Sequence, residues 1–463
     1  MSSIWMDVTT ISKWKRPAVG IIRVEAECAK YAIGQIGDDI KFCVYDPVIG
    51  YYEVSRDTIN SYFTNFSKYP KQTILIDNTS KTGAEQRLKT FFLKYSSKLP
   101  SSISSFLHSF LVRRKSAFIY FLGSARYLKA GLKELFTKHE NSTFHEKTRT
   151  NKLERNCPFK NNDIYLSLGL DWDQKDLIYL YSLKKEFSLK VILFCYDVIP
   201  VKLPHLCVGN VSAAFRYYFS NVAWCADKIL CISDCSRKDL RELLIEMGTP
   251  TPELNVIQLG CDLPDLKNNE NEAAELPADL KNSEYILFVS TIERRKNHET
   301  LYKAYVNLIE EKCKNLPVLV FVGMPGWGVN DFLQDISLDP RVKEKIKIYN
   351  NIEDSMLSLL YRNCLFSVYP SLYEGWGLPI SESLAYGKFC LASNAASIPE
   401  AGGDFIEYVS PWDVIGWAEA LKKYIYSKEL LADKEKNIKH FYKVNSWHSS
   451  AETIFEHVKA IDK

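Results

Sequence analysis

Two carboxylates eight positions apart, followed through the chain with their neighbours, carry most of the chemistry that this sequence offers. They lie in Ser371-Leu-Tyr-Glu374-Gly375-Trp376-Gly377-Leu378-Pro379-Ile-Ser-Glu382, directly after the apolar run Leu365–Pro370. Gly375 and Gly377 permit a tight loop whose backbone can approach a ligand. Pro379 suits the first turn of a helix. Strand, glycine loop and helix start together make an anion site, with unpaired N–H groups and the positive end of the helix dipole facing a phosphate. Glu382 is expected one turn into that helix, facing the same crevice. There a carboxylate can accept hydrogen bonds from a ribose diol, and the alternative is an exposed helix carboxylate. Glu374 is expected in the loop itself, beside a bound sugar or simply near a helix N-terminus. A second group follows the run Tyr285–Ser290: Glu293-Arg294-Arg295-Lys296-Asn297-His298. A planar guanidinium and a compact ammonium both suit a diphosphate, although a solvated basic turn would read the same way.

The elements that must position these groups are short apolar runs separated by helical stretches. The first half has Ile4–Ile11, Ile40–Tyr45, Thr73–Asp77, Asp163–Leu170, Val191–Val198, Lys228–Ile232 and Asn255–Leu259. The second has Tyr285–Ser290, Pro317–Gly323, Ile346–Tyr349, Leu365–Pro370, Phe389–Ala392 and Phe405–Val409. Near-continuous apolar strands alternating with helices predict parallel sheets covered on both faces. Two such sets predict two doubly wound α/β domains, with ligands beyond the carboxyl ends of the strands, in the cleft between them. The polar stretch 264–284 predicts a linker at 266–284 between an N-terminal domain, 1–265, and a C-terminal one, 285–440, with a closing helix in 441–463.

With these motifs in place, the sequence resembles glycosyltransferase family 4. Glu374 and Glu382 match its Glu-x7-Glu motif, and Arg295-Lys296-Asn297 its basic turn. Gln258-Leu-Gly260-Cys-Asp262 and the stretch 392–404 follow the same pattern. The resemblance is strong over 255–425 and looser before it, and its details come closest to bacterial mannosyl- and rhamnosyltransferases of surface polysaccharide (O-antigen, lipopolysaccharide, capsule). It implies the GT-B fold and transfer of a hexose, with GDP-mannose the leading donor, onto a lipid-linked or oligosaccharide acceptor with retention of configuration. It implies that Glu374, Arg295 and Lys296 serve catalysis. Glu382, Gly375, Trp376, Gly377, Leu378 and Gly20 would serve the nucleotide sugar. Pro17-Ala-Val-Gly20 resembles the loop after the first strand. Tyr196-Asp197-Val-Ile-Pro200 resembles the polar strand end that lines the acceptor side, with Tyr196 where many members carry His. Tyrosine is a poor base near neutral pH, so the side chain that meets the reacting sugar stays open. A non-catalytic GT-B partner subunit and a nucleotide-sugar hydrolase or epimerase remain alternatives.

Composition narrows the field. The 463 residues are 46% hydrophobic and 25% charged, as in globular proteins, with a net charge of only +3, too mild for a nucleic-acid binder. The twelve cysteines contain no CxxC pair and the eight histidines no ligand spacing, which predicts free thiols and no metal or other cofactor. Asp171-Trp-Asp173 is a DxD triplet, expected to be a coincidence in a strand-end turn. The opening residues lack a basic stretch followed by an apolar run, which predicts no signal peptide and a cytoplasmic location. Charge is distributed unevenly. Residues 81–140 hold twelve Lys or Arg against three Glu, a net +9 set against −6 elsewhere. This basic insertion predicts peripheral contact with an anionic membrane, at the inner face of the cytoplasmic membrane, or else an ordinary solvated insertion.

Overall fold

The computed structural model of the protein describes residues 2–15, 18–66, 74–75, 156–209, 211–262 and 275–462. The basic insertion 81–140, Pro17, and the stretch 263–274, which holds the first part of the expected linker, lie outside the described residues.

Two seven-stranded sheets organise the molecule. The N-terminal sheet has the order β3-β2-β1-β5-β6-β7-β8. Its strands are β1 (Ile4–Asp7), β2 (Ile40–Asp46), β3 (Gly50–Val54), β5 (Ile164–Ser167), β6 (Lys190–Cys195), β7 (Lys228–Cys231) and β8 (Glu253–Val256). All neighbours run parallel except β2 and β3. The C-terminal sheet has the order β14-β13-β12-β9-β10-β11-β4, parallel except for β4. It contains β9 (Tyr285–Val289), β10 (Val318–Val322), β11 (Ile346–Asn350), β12 (Ser367–Tyr369), β13 (Cys390–Ser393), β14 (Glu407–Val409) and β4 (Ile74–Leu75). β1, β5, β6 and β7 are buried along almost their whole length, so helices cover both faces and the sequence reads as continuous apolar runs.

The structure departs from the sequence reading in several places. Residues 9–11 leave the first strand for a short helix, Thr9–Lys13, because Asp7 accepts the Thr9 N–H at 2.8 Å and turns the chain. β4, which falls in the N-terminal half of the chain, pairs antiparallel with β11 in the other sheet. Residues 275–284 are docked rather than free. Leu280 is buried among Tyr285, Leu287 and Tyr349, and the Tyr349 hydroxyl donates to both oxygens of Asp279 at 2.8 Å.

In each sheet the first strand is flanked by the second on one side and by a later strand on the other. A crevice therefore opens at the strand ends between β9 and β12, and between β1 and β5. The last helix, Trp447–Lys459, lies against the helix Ile21–Tyr31 of the N-terminal lobe, with Phe455 stacked on Tyr31 at 5.8 Å between centroids. Among the described residues no helix is long and apolar enough to cross a membrane.

Candidate active site

The segment after β9 and the segment after β12 face each other across the C-terminal crevice, and they carry the groups that the sequence singles out. Lys296 Nζ donates to Glu374 Oε1 at 2.6 Å, and Arg295 Nη1 to Glu374 Oε2 at 2.6 Å. The same Nη1 donates to the Tyr373 carbonyl at 2.6 Å, and Nη2 to Glu293 at 2.9 Å. Lys296 also donates to the Tyr369 hydroxyl at 3.2 Å and lies over that ring. Glu374 is buried. Burial alone would raise its carboxyl, but Arg295 and Lys296 prevail and hold it at about 2. Burial works against the Arg295 charge too, yet Glu374, Glu293 and Asp197 push its pKa up. Arg295 spends three of its five N–H donors on these partners and Lys296 two of its three, so each keeps donor capacity for an incoming oxyanion. The turn that presents them is closed by Asn297, in the left-handed region at φ 61°, whose amide donates to the carbonyls of Pro370 and Pro411 at 3.0 and 2.8 Å.

The glycine loop forms as its sequence dictates. Gly377, at φ 142°, ends the loop where most side chains would be strained, and the helix Leu378–Ala385 starts behind it with Pro379 in the first turn. Gly375 is needed for proximity: a Cβ there would run into the carbonyl oxygen of Tyr196 in the opposite lobe. Trp376 is buried, and the Ser397 hydroxyl lies 2.8 Å from the carbonyl of Glu374 and 2.9 Å from that of Trp376, tying the loop down. The N–H groups of Gly375, Trp376, Gly377 and Leu378 have no backbone acceptor among the described residues. Glu382 is partly buried one turn into the helix, and its Oε2 accepts from the Tyr361 hydroxyl at 2.9 Å. Burial raises its carboxyl, partly offset by that bond and by Arg23 of the N-terminal lobe.

The N-terminal lobe supplies Asp197, which caps the turn at Ile199 N at 3.0 Å and stands in the field of Arg295, Glu374 and Lys296. Burial, ahead of the lowering effect of Arg295, lifts its carboxyl. At Tyr196, placed by the sequence on the acceptor side with its sugar contact left open, the ring is buried and the hydroxyl donates inward to the Leu168 carbonyl at 2.6 Å. Gly20 is exposed at the start of Ile21–Tyr31 with φ 52°. Asp171 is not a free member of a DxD pair. It is buried against Lys175 at 2.8 Å, and Lys175 also reaches Asp7 at 2.9 Å, filling the crevice between β1 and β5 with a closed ion network. Glu293, Tyr361, Tyr369 and Ser397 were not marked by the sequence. Only Glu293, beside the basic turn, carried a local signal.

Comparison with known proteins follows this geometry. Residues 270–441, the C-terminal lobe, match the family Glycosyl transferases group 1. The serotype-specific mannosyltransferase WbdA of Escherichia coli is 29% identical over 198 residues, covering 41% of this chain and 24% of that protein. O-antigen chain mannosyltransferase B of Escherichia coli is 32% identical over 193 residues, covering 41% of this chain and 49% of that one. The chain thus spans from about a quarter to about half of the length of these relatives. Among solved structures, a trehalose-6-phosphate synthase studied for glycosyl transfer with retention superimposes with TM-score 0.51 at 15% identity, covering 65% of this chain and 74% of that one. Anabaena HepE with UDP and glucose gives TM-score 0.50 at 15% identity, covering 64% and 78%. The chain has the GT-B fold, and its C-terminal lobe is similar to the group 1 glycosyl transferases.

Proposed function

We propose that the protein is a retaining hexosyltransferase that moves mannose from GDP-mannose to a lipid-linked or oligosaccharide acceptor during assembly of a bacterial surface polysaccharide. The observation that carries this reading is the buried Glu374 carboxylate, gripped by Arg295 and Lys296 in the C-terminal crevice beside the start of the helix Leu378–Ala385. The mannosyltransferase names of the partial relatives support the choice of sugar.

In the proposed reaction the bond from the anomeric carbon to the β-phosphate oxygen breaks. A bond to the acceptor hydroxyl forms on the same face, and the hydroxyl proton passes to the departing phosphate oxygen. The protein's task is then to stabilise the leaving diphosphate and the cationic anomeric carbon. The spare donors of Arg295 and Lys296 and the loop amides at 375–378 would receive the diphosphate. Glu382 would accept the ribose hydroxyls, Glu374 would hold sugar hydroxyls near the anomeric carbon, and Asp197 would line the acceptor side. We place this reaction at the inner face of the cytoplasmic membrane, through the net +9 charge of 81–140. Co-sedimentation with anionic but not neutral vesicles at low salt tests that placement.

The deciding experiment is a panel of nucleotide sugars, each assayed for nucleoside diphosphate release with and without an oligosaccharide acceptor, in buffer and in EDTA. The anomeric configuration of the product is read by NMR. Acceptor-dependent release from GDP-mannose, an α product and full turnover in EDTA are expected. Release without acceptor would make the protein a hydrolase, and an inverted product or a manganese requirement would refute the mechanism.

A further inference from the structure

The loop that carries Glu374 is held from both lobes. On its own side, Arg295 binds the Tyr373 carbonyl and the Glu374 carboxylate. On the other side stands the helix Asp234–Glu246, which follows β7 in the N-terminal lobe. Several contacts join that helix to the C-terminal lobe, among them the Cys235 thiol, 3.7 Å from the Tyr373 hydroxyl. The Tyr373 hydroxyl donates to Asp239 Oδ2 at 2.5 Å, and the other Asp239 oxygen takes an ion pair from Lys202, which also lies over the Tyr373 ring. The Ser236 hydroxyl lies 3.0 Å from the Tyr196 carbonyl and 3.3 Å from the Gly375 carbonyl, one from each lobe. Glu400, from the short helix Ile398–Gly402, accepts from Asp234 N at 2.7 Å and Cys235 N at 2.8 Å, and so caps the first turn of a helix in the opposite lobe.

The chemistry of these contacts favours a clasp over incidental packing. The first-turn N–H groups of a helix have no intrahelical acceptor, and a carboxylate there gains two charge-assisted bonds and the favourable end of the dipole. Asp239 is nine-tenths buried, so its bond to Tyr373 is made largely away from water. Most tellingly, Tyr373 is joined to Glu374 by a single peptide bond, and Arg295 holds both residues. Whatever moves the Tyr373 ring moves the carboxylate.

We infer that Tyr373 and Glu400 are positioning residues, which fasten the loop to the helix Asp234–Glu246 so that Glu374 takes its working place only when the two lobes are closed on each other. This rests on the transferase reading, and it adds residues to which that reading gives no part. The hydrogen bonds of both side chains run to the helix Asp234–Glu246 rather than to Arg295, Lys296 or the loop amides. Nucleotide binding and turnover should therefore separate.

The test uses the full chain carrying Tyr373→Phe, Glu400→Gln and the pair together, with thermal unfolding as a check that each variant folds. Calorimetry with GDP should give affinities within twofold of the parent. With GDP-mannose and acceptor, kcat should fall about tenfold for each single variant and further for the pair. Small-angle scattering with GDP bound should show a larger radius of gyration for the double variant than for the parent. Unchanged kcat, or a loss of turnover with unchanged scattering, would overturn the inference. If the parent turns over no nucleotide sugar, the transferase reading fails. Scattering and the GDP titration then decide on the clasp by themselves.

Discussion

At Glu374, burial is opposed by the charges of Arg295 and Lys296. Burial favours the neutral acid, and Arg295 and Lys296 restore the anion with bonds of 2.6 Å each. Under the proposed function, removing Lys296 would cost twice: the diphosphate would lose a donor, and Glu374 loses a counter-ion. Lys296→Ala should lower turnover by at least a hundredfold, whereas Glu382→Ala should weaken GDP binding by roughly ten- to a hundredfold and spare the turnover of bound donor. Calorimetry and steady-state kinetics on both variants separate the roles, and equal effects on affinity and turnover would erase the distinction. Glu25 presents the opposite balance. It is fully buried beside the Lys175 network, with Oε1 accepting from Ile11 N at 2.8 Å and Oε2 without a partner. Burial, opposed by Lys175, pushes it up to about 8. The folded state then binds a proton that the unfolded chain has released. Stability should fall as pH rises from about 4.5 to about 8. Glu25→Gln keeps the neutral shape and removes the titration. Denaturant unfolding at pH 5 and pH 9 should show the variant gaining roughly 1–3 kcal/mol on the parent at the higher pH. Parallel curves would put Glu25 outside the titration.

Among the elements, most of what was legible was legible for one reason. Strands buried on both faces must be apolar along their length, so β5, β6, β7, β9 and β10 announce themselves as runs of Val, Ile, Leu and Phe. The edge strand β3, with its exposed Tyr52 and Glu53, gave no such run and was not foreseen. The glycine loop and basic turn were legible because backbone geometry demands particular residue types there. Tyr196 was not, since a tyrosine at a strand end can turn either way and only packing shows that its hydroxyl points to Leu168. The partners in the clasp stand 134 to 166 positions apart in sequence, beyond the reach of any local pattern. Gly375 tests the loop as an element. Gly375→Ala places a methyl group against the Tyr196 carbonyl, in backbone that has little room to yield. The lobes should be wedged apart, with turnover reduced at least a hundredfold and GDP binding weakened as the loop amides are displaced. Full activity in Gly375→Ala would mean that the approach of the two lobes at this point is not needed for transfer.

Over the whole molecule, the two lobes share one architecture and differ in what fills the crevice at the switch of strand order. In the N-terminal lobe that crevice is closed by Asp7, Asp171 and Lys175, with the buried Glu25 beside them. In the C-terminal lobe it holds cations with donors to spare and a helix start with open amides. Under the proposed function, this asymmetry would give the nucleotide to the C-terminal lobe and leave the N-terminal lobe only its rim. The chain's last helix then binds the lobes from behind. Trp447–Lys459 buries Trp447, Ala451, Ile454, Phe455 and Val458, and Phe455 stacks on Tyr31 of the helix that starts at Gly20 and carries Arg23 toward Glu382. This helix belongs in sequence to the C-terminal half and in packing to the N-terminal lobe, so its loss should be felt in both. Truncating the fully buried Phe455 to Ala removes a ring and leaves a cavity, at a cost of about 3–5 kcal/mol. A lower Tm is expected, together with weaker GDP binding as Ile21–Tyr31 and its Arg23 lose their backing. GDP titrations on Phe455→Ala, well below its unfolding temperature, separate the two effects. A variant that melts early yet binds GDP as the parent does would confine the helix to stability and detach it from the site.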